Sequence, residues 1–230
     1  MENFDYIARN YNELVAELRD IANSVGVKVP RLVCVTKSGS DEELLALCAA
    51  GATDIGENRP GEVARRAEII RSAGYTASMH EIGTLQRNKV KLVVGNAALI
   101  HSVDTVRLAR DISRLAEAKG LKIPVLIEIN SAEEPNKSGV LPSEAESLLT
   151  EISNLEGITL KGLMTMGPVC ENPEDLRKYF RLTKQMFDRF EAAYGFGEEP
   201  ILSMGMSDSY RVAIEEGSTL VRVGRKLFRK

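Results

Sequence analysis

The chain has no tryptophan, only 5% aromatic residues and just two histidines, His80 and His101. Two histidines, with Cys34, Cys48 and Cys170 scattered along the chain, give no metal-ligand spacing, so the sequence predicts no metal site. Three cysteines are an odd number, and two of them fall in apolar strand or helix patterns. That argues against a disulfide framework and for reduced thiols in a cytoplasmic protein. No apolar run is long enough to span a bilayer, and Met1-Glu-Asn-Phe-Asp5 has neither the basic region nor the apolar stretch of a signal peptide. Neither sign of charge dominates. With 30 Lys and Arg against 33 Asp and Glu the formal charge is −3 and the pI near 5.6, which gives no drive towards nucleic acid or membrane. Linkers and low-complexity tracts are also missing, so residues 1–230 read as one domain.

What is there is organised around Arg31-Leu-Val-Cys-Val-Thr-Lys37-Ser-Gly-Ser40. Leu32 to Val35 are apolar in succession, as in a strand buried on both faces. Ser38-Gly39 break it, and Ser40 with Glu43 form a capping box that starts a helix. Lys37 therefore sits where a buried parallel strand ends, at the edge that carries ligands in α/β folds. Such a lysine snorkels to water, pairs with a carboxylate or does chemistry.

The rest of the chain repeats this unit. Residues 3–25 predict a leading helix, with Phe4, Ile7, Tyr11, Leu14, Leu18, Ile21 and Val25 in one stripe and Gly26 and Pro30 ending it. Strands are predicted at 31–37, 53–57, 78–83, 99–104, 124–130, 158–166, 201–206 and 219–223. Helices are predicted at 41–50, 60–73, 86–93, 105–119, 142–154, 173–194 and 208–216. Eight strands with a helix in every gap imply a (β/α)8 TIM-like barrel, and the leading helix can cover the place of an eighth crossover helix. The alternative, an open doubly wound sheet, lacks its Gly-x-Gly-x-x-Gly at the first strand-to-helix turn, where Lys37 stands.

In a barrel the strands' C-terminal ends carry the chemistry. Those ends hold Lys37, Asn58, His80, Asp104, Asn130, Ser207 and Arg222. Ser207 and Asp208, after Met204-Gly-Met206, are candidate N-caps whose free amides would suit a phosphate, and Gly224 would let backbone approach it. Side chains alternate along a strand, so Arg222 and Gly224 share a face. Barrel closure would set an inward Arg222 near Lys37. Two such cations call for an anion between them, and a phosphorylated aldehyde answers both: phosphate for charge, aldehyde for a lysine whose burial and cationic neighbour leave it neutral. Alternatively Arg222 pairs with Glu57 or Glu128. His80 and His101 read as satisfied core residues, Met164, Met166, Met204 and Met206 as core or pocket wall, and Lys137 as a solvated loop lysine.

The motifs Val35-Thr-Lys37, Asp54-Ile-Gly-Glu-Asn58, His80-Glu-Ile-Gly83, Leu85-Gln-x-Asn-Lys89, Ile100-His-Ser-Val-Asp104, Asn136-Lys-Ser-Gly139, Gly162-Leu-Met-Thr-Met166, Leu202-Ser-Met-Gly-Met-Ser-Asp208 and Val221-Arg-Val-Gly224 run in order along nearly the whole chain. With them the chain resembles the pyridoxal phosphate homeostasis proteins, whose barrel is related to the N-terminal domain of alanine racemase and the fold-III decarboxylases. The resemblance implies a fold type III barrel with pyridoxal 5′-phosphate (PLP) held as a Schiff base on Lys37. It also implies that Ser207, its neighbouring amides, Arg222, Gly224 and Met204 hold phosphate and ring, and that Asn58 lines the pocket. Arg222 is the candidate to face the pyridine nitrogen. Four positions depart from the family pattern: Gly39 stands where a second lysine often does, Arg59 where an aromatic does, Thr84 where a histidine does, and Phe228-Arg229 replaces Phe-Gly.

Two functions follow from the resemblance. One is a carrier that buffers PLP, delivers it to apo-enzymes, and has no strong catalysis of its own. The other is an amino-acid racemase or decarboxylase. Racemases of this fold add a β-domain and a partner chain after the barrel, and this sequence stops soon after strand eight. The expectation is therefore a monomeric carrier without catalytic residues. A third reading, without cofactor, leaves Lys37 solvated on a structural barrel.

Overall fold

The computed structural model describes residues 4–229. Eight parallel strands close in sequence order into a barrel, and eight helices surround it. The first helix, α1 (Asp5–Val25), buries Ile7, Leu14, Leu18 and Ile21 of the stripe read from the sequence, leaves Phe4 and Tyr11 half-buried and Val25 exposed, and ends at Gly26 with φ of +70°. The first residue of its predicted span, Asn3, lies outside the described residues. Then β1 (Arg31–Val35), α2 (Asp41–Ala49), β2 (Asp54–Glu57), α3 (Pro60–Ser72), β3 (Ser78–Glu81), α4 (Val90–Val93), β4 (Leu99–Val103) and α5 (Val106–Ala118) alternate. The second half continues with β5 (Ile123–Glu128), α6 (Ala145–Ile152), β6 (Ile158–Met164), α7 (Arg177–Tyr194), β7 (Ile201–Ser203), α8 (Tyr210–Glu215) and β8 (Leu220–Val223). Helix α1 packs between α2 and α8, the place expected for it. The capping box also forms: Ser40 Oγ accepts from the Glu43 amide at 3.2 Å, and Glu43 accepts from the Ser40 amide at 2.7 Å.

Every predicted strand exists, but most stop one to three residues short of their predicted ends. Those end residues continue the apolar or polar alternation yet already belong to the loops of the upper rim. The predicted helix 86–93 is a 3-10 turn (Arg87–Lys89) running into the short α4, and the start of 173–194 is likewise a 3-10 turn (Pro173–Leu176).

Two layers of side chains fill the molecule. The outer faces of the strands pack on the helices in one large cluster, with Cys34, Ile55, Met79, Ile100, Ile127, Leu202 and Val221 among its strand residues. Inside the barrel Val33, Leu99, Leu126, Met164, Ile201 and Leu220 form a second, smaller cluster. The strands β2 and β3 give the interior no large apolar residue. They give it Asp54, Gly56 and His80, and a Cβ at Gly56 would come within 2.7 Å of Val33 Cγ1.

The rest of the interior is a column of polar groups. His80 Nε2 lies 3.0 Å from Asp54 Oδ1, and His80 Nδ1 lies 2.9 Å from His101 Nε2. His101 Nδ1 lies 3.0 Å from Ser203 Oγ, which also accepts from Arg222. A bulge in β4 makes room: Ile100 pairs with Val125 and Val103 with Ile127, so His101 and Ser102 together face the single residue Leu126. A second irregularity in β6, between the partners of Val125 and Leu126, falls at Gly162, whose φ is +142°.

Gly162 gives a direct test of this packing. An added Cβ would lie 2.0 Å from Ile201 O, and the backbone conformation is one that side-chain-bearing residues rarely adopt. Gly162→Ala is expected to cost at least about 2 kcal/mol in urea unfolding. An unchanged midpoint would mean that β6 and β7 pair differently.

Candidate functional site

Lys37, Asn58, Ser207, Arg222 and Gly224 stand at the ends of four strands, β1, β2, β7 and β8, and the parallel barrel brings them to its C-terminal end. Lys37 does not prolong β1. The strand ends at Val35, and Lys37 is the first corner of a turn closed by Gly39 N donating to Thr36 O at 2.8 Å. This lifts the lysine off the barrel wall into solvent, where its side chain is exposed. The expected burial of its amine is thereby corrected.

The turn itself is held from below by a buried arginine that sequence reasoning missed. Arg66 on α3 donates to Thr36 O at 2.8 Å and to Gly39 O at 2.7 Å, so one guanidinium grips both ends of the turn that carries Lys37. Glu57 pairs with Arg66 at 2.9 Å and accepts from Thr36 Oγ1 at 2.6 Å. The sequence does carry a signal for this. Arg66 lies among Val63, Ala67 and Ile70, the apolar stripe of α3, and a charge in a buried stripe needs a buried partner.

Arg222 points into the barrel opposite Val33 of β1 and is buried. Its guanidinium donates to Ser203 Oγ and, at 3.0 Å, to Thr165 O. Burial lowers it to about 10, and Glu128 opposes that. The alternative pairing with Glu57 is ruled out, because Glu57 faces outward to Arg66. Glu128 acts on Arg222 through space rather than by an ion pair. Its own carboxyl is pushed up to about 7 by burial and by Asp104, with Arg222 opposing.

The turn after β7 differs from the expectation. Ser209, not Ser207 or Asp208, occupies the cap position of α8, and its Oγ accepts from the Met206 amide at 3.1 Å. Ser207 and Asp208 form the turn before it. Their backbone amides meet no acceptor among the described residues. Asp208 is paired with Arg225 of the loop after β8, so its charge is offset where the two loops meet. Gly224 lies against β1: a Cβ there would stand 2.9 Å from Val35 O. Met204 is the one candidate outside this mouth. It is fully buried in the layer between strands and helices, because β7 alternates and Ser203 takes the inward place. Met206, two residues on, is exposed at the rim.

The mouth therefore offers an exposed amine on a clamped turn, two free amides, a glycine-lined approach and a buried cation beneath. This set fits a ligand with an anionic group and an amine-reactive carbon. Among the described residues no group of histidine, cysteine and carboxylate side chains could hold a metal ion, and no helix is long and apolar enough to cross a membrane. One departure from the family pattern has a close neighbour: the Phe228 ring occupies the space over Gly39, 2.5 Å from where a Cβ would be.

Comparison with known proteins places the chain in a family. The family model described as the alanine racemase N-terminal domain matches residues 9–229. A pyridoxal phosphate homeostasis protein of Aquifex aeolicus is 38% identical over 203 residues, 88% of each chain. The structure of PipY of Synechococcus elongatus with PLP bound superposes with a TM-score of 0.84 at 26% identity, covering 97% of this chain and all of that one. An alanine racemase of Clostridium difficile, at 19% identity, shares the fold with a TM-score of 0.73; the match covers 93% of this chain and 58% of the racemase.

Beside Glu57 lies a second buried carboxyl, Glu81, whose Oε2 has no partner while Oε1 accepts from the Gly83 amide at 3.0 Å. Burial pushes it up to about 8, the Gly83 bond opposes this and Glu57 adds to it. Folded-state protonation above the ordinary 4.5 means that Glu81 favours the fold fully below about pH 4.5 and loses that contribution as pH rises through about 8. Glu81→Gln should therefore flatten the decline in stability across that window by on the order of 1 kcal/mol per pH unit. Equal slopes for the two proteins in denaturant titrations at several pH values would contradict a protonated Glu81.

Proposed function

The chain belongs to the pyridoxal phosphate homeostasis proteins, built on the alanine racemase N-terminal domain, and from that premise we propose that it binds PLP at the barrel mouth and serves its intracellular homeostasis. Lys37 holds the cofactor through a Schiff base, its amine taking the aldehyde carbon with loss of one water. Ser207, the amides of Ser207 and Asp208, and the backbone at Gly224 receive the phosphate. Asn58 lines the mouth, and Arg222 is the residue that would face the pyridine nitrogen. What PLP supplies when bound is an amine-reactive aldehyde on an electron-withdrawing ring. An arginine facing that nitrogen keeps its own proton and leaves the pyridine nitrogen without one, which weakens the ring as an electron sink. That suits storage and delivery better than turnover.

The observation that carries this reading is the clamped turn. Arg66 fixes the carbonyls at both ends of the turn, so the backbone that carries Lys37 is held in place while its side chain remains exposed to solvent. An exposed amine on a rigid turn can take up and release a cofactor without a domain opening. The protein acts as a monomeric cytoplasmic carrier that can pass PLP to apo-enzymes. Support for that compartment comes from its cysteines, all three of them free. The racemase reading has less behind it, since the likeness to racemases is one of fold.

Purified protein with PLP should absorb in the visible as a protonated imine, and Lys37→Ala should not. Borohydride reduction followed by peptide mass spectrometry should place the cofactor on Lys37. Trapping on another lysine with equal yield would overturn the assignment. Ser207→Ala should keep the band at saturating PLP but loosen retention about tenfold, as loss of a hydrogen bond to a charged group predicts.

Chiral chromatography after long incubation with alanine should show no racemisation. Turnover of about one per second or faster would favour the enzyme.

A further inference from the structure

The polar column inside the barrel has a direction that its hydrogen bonds alone determine. Arg222 has only donors, so Ser203 Oγ accepts from it. The one hydroxyl proton of Ser203 then has one remaining partner, His101 Nδ1, at 3.0 Å. His101 Nδ1 is thus the acceptor, and its ring proton sits on Nε2. That proton faces His80 Nδ1 at 2.9 Å, which must accept it. His80 in turn carries its proton on Nε2 and gives it to Asp54 Oδ1 at 3.0 Å. Every donor points the same way, from the cation at the mouth to a carboxylate at the barrel floor. Strands β4 and β7 are not neighbours, so the link between His101 and Ser203 crosses the lumen.

We propose that Ser203 and His101 are positioning residues for Arg222, the first two links of a one-way hydrogen-bond chain through His80 to Asp54 that sets the guanidinium's place beneath the ligand-binding mouth. Uniformly oriented bonds polarise one another, and a cation at the donor end with an anion at the acceptor end strengthens the series. Two further observations fit. Burial above all, with the positive charges of Arg222 and Arg31 adding, holds His101 well below its ordinary value, as a neutral ring requires. Burial would raise Asp54, yet the bond from His80, together with Thr53 and Arg31, brings it down to about 2, so the acceptor end stays ionised. Reversing the chain would leave the Ser203 proton without an acceptor in a site with no exposure to water.

The inference rests on the reading that PLP occupies the mouth above Arg222, but its first test needs no cofactor. With only two histidines in the chain, long-range 15N–1H correlation of 15N-histidine-labelled protein without PLP resolves four ring nitrogens, assignable with His80→Gln. Both rings are expected neutral with the proton on Nε2. A charged ring, a proton on Nδ1, or averaged tautomers at His101 would overturn the chain, whether or not Lys37 binds PLP. Ser203→Ala should then free His101 Nδ1 and alter its resonance, and should weaken PLP binding about tenfold with a displaced imine band. Ser203→Thr, which keeps the hydroxyl, should restore both. If Ser203→Ala changes the His101 resonance but leaves PLP affinity and the band untouched, the chain exists and does not position Arg222, and the proposal fails. If wild-type protein forms no imine at all, the function proposed above fails, while the nitrogen spectrum still decides the direction of the chain.

Discussion

A guanidinium enclosed by a barrel must have its donors met, since a buried charge without partners costs several kcal/mol. Much of the interior follows from that demand at Arg222. Ser203 and the Thr165 carbonyl receive it, and the bulge in β4 lets His101 reach across to Ser203. The counter-charge is not placed against it. Asp54 stands at the far end of the column, held by His80, Thr53 and Arg31, and the nearer Glu128 is raised to about 7. The cation is therefore solvated by dipoles rather than cancelled by an adjacent carboxylate. Its field remains available at the mouth.

The outer wall solves a second problem with another buried arginine. A lysine at the corner of a turn would ordinarily wander with its loop. Arg66 ties that corner to α3 and, through Glu57, to β2. The two arginines work from opposite sides of the same strand ends, one inside the sheet and one outside it. The ligand-bearing rim is thus fixed by polar contacts where the apolar core has already run out.

Much of this was legible in the sequence. Alternating strand and helix patterns give the barrel and the place of α1, and side-chain alternation along β8 puts Arg222 and Gly224 on one face. The same alternation, applied to β7, would have turned Met204 outward, because Ser203 and Arg222 must meet inside. The burial expected at Lys37 did not hold, because Val-Thr-Lys continues the strand pattern by composition while the hydrogen bond from Gly39 ends it at Val35. Ser207 and Asp208 have capping chemistry, but so does Ser209, and which of three adjacent residues caps is settled by the turn geometry. Arg66, Asp54 and Ser203 have no role in the sequence reading because their partners lie on other strands and helices, 19 to 30 positions away.

The contact of Gly39 with Phe228 couples two positions at opposite ends of the chain into one steric unit. A side chain at 39 collides with the ring, whereas a smaller residue at 228 leaves Gly39 merely uncovered. Any side chain at 39 must first turn that ring aside, so the turn that carries Lys37 and the segment after β8 move together or not at all. The far end of the chain thus acts as a latch on the loop after the first strand.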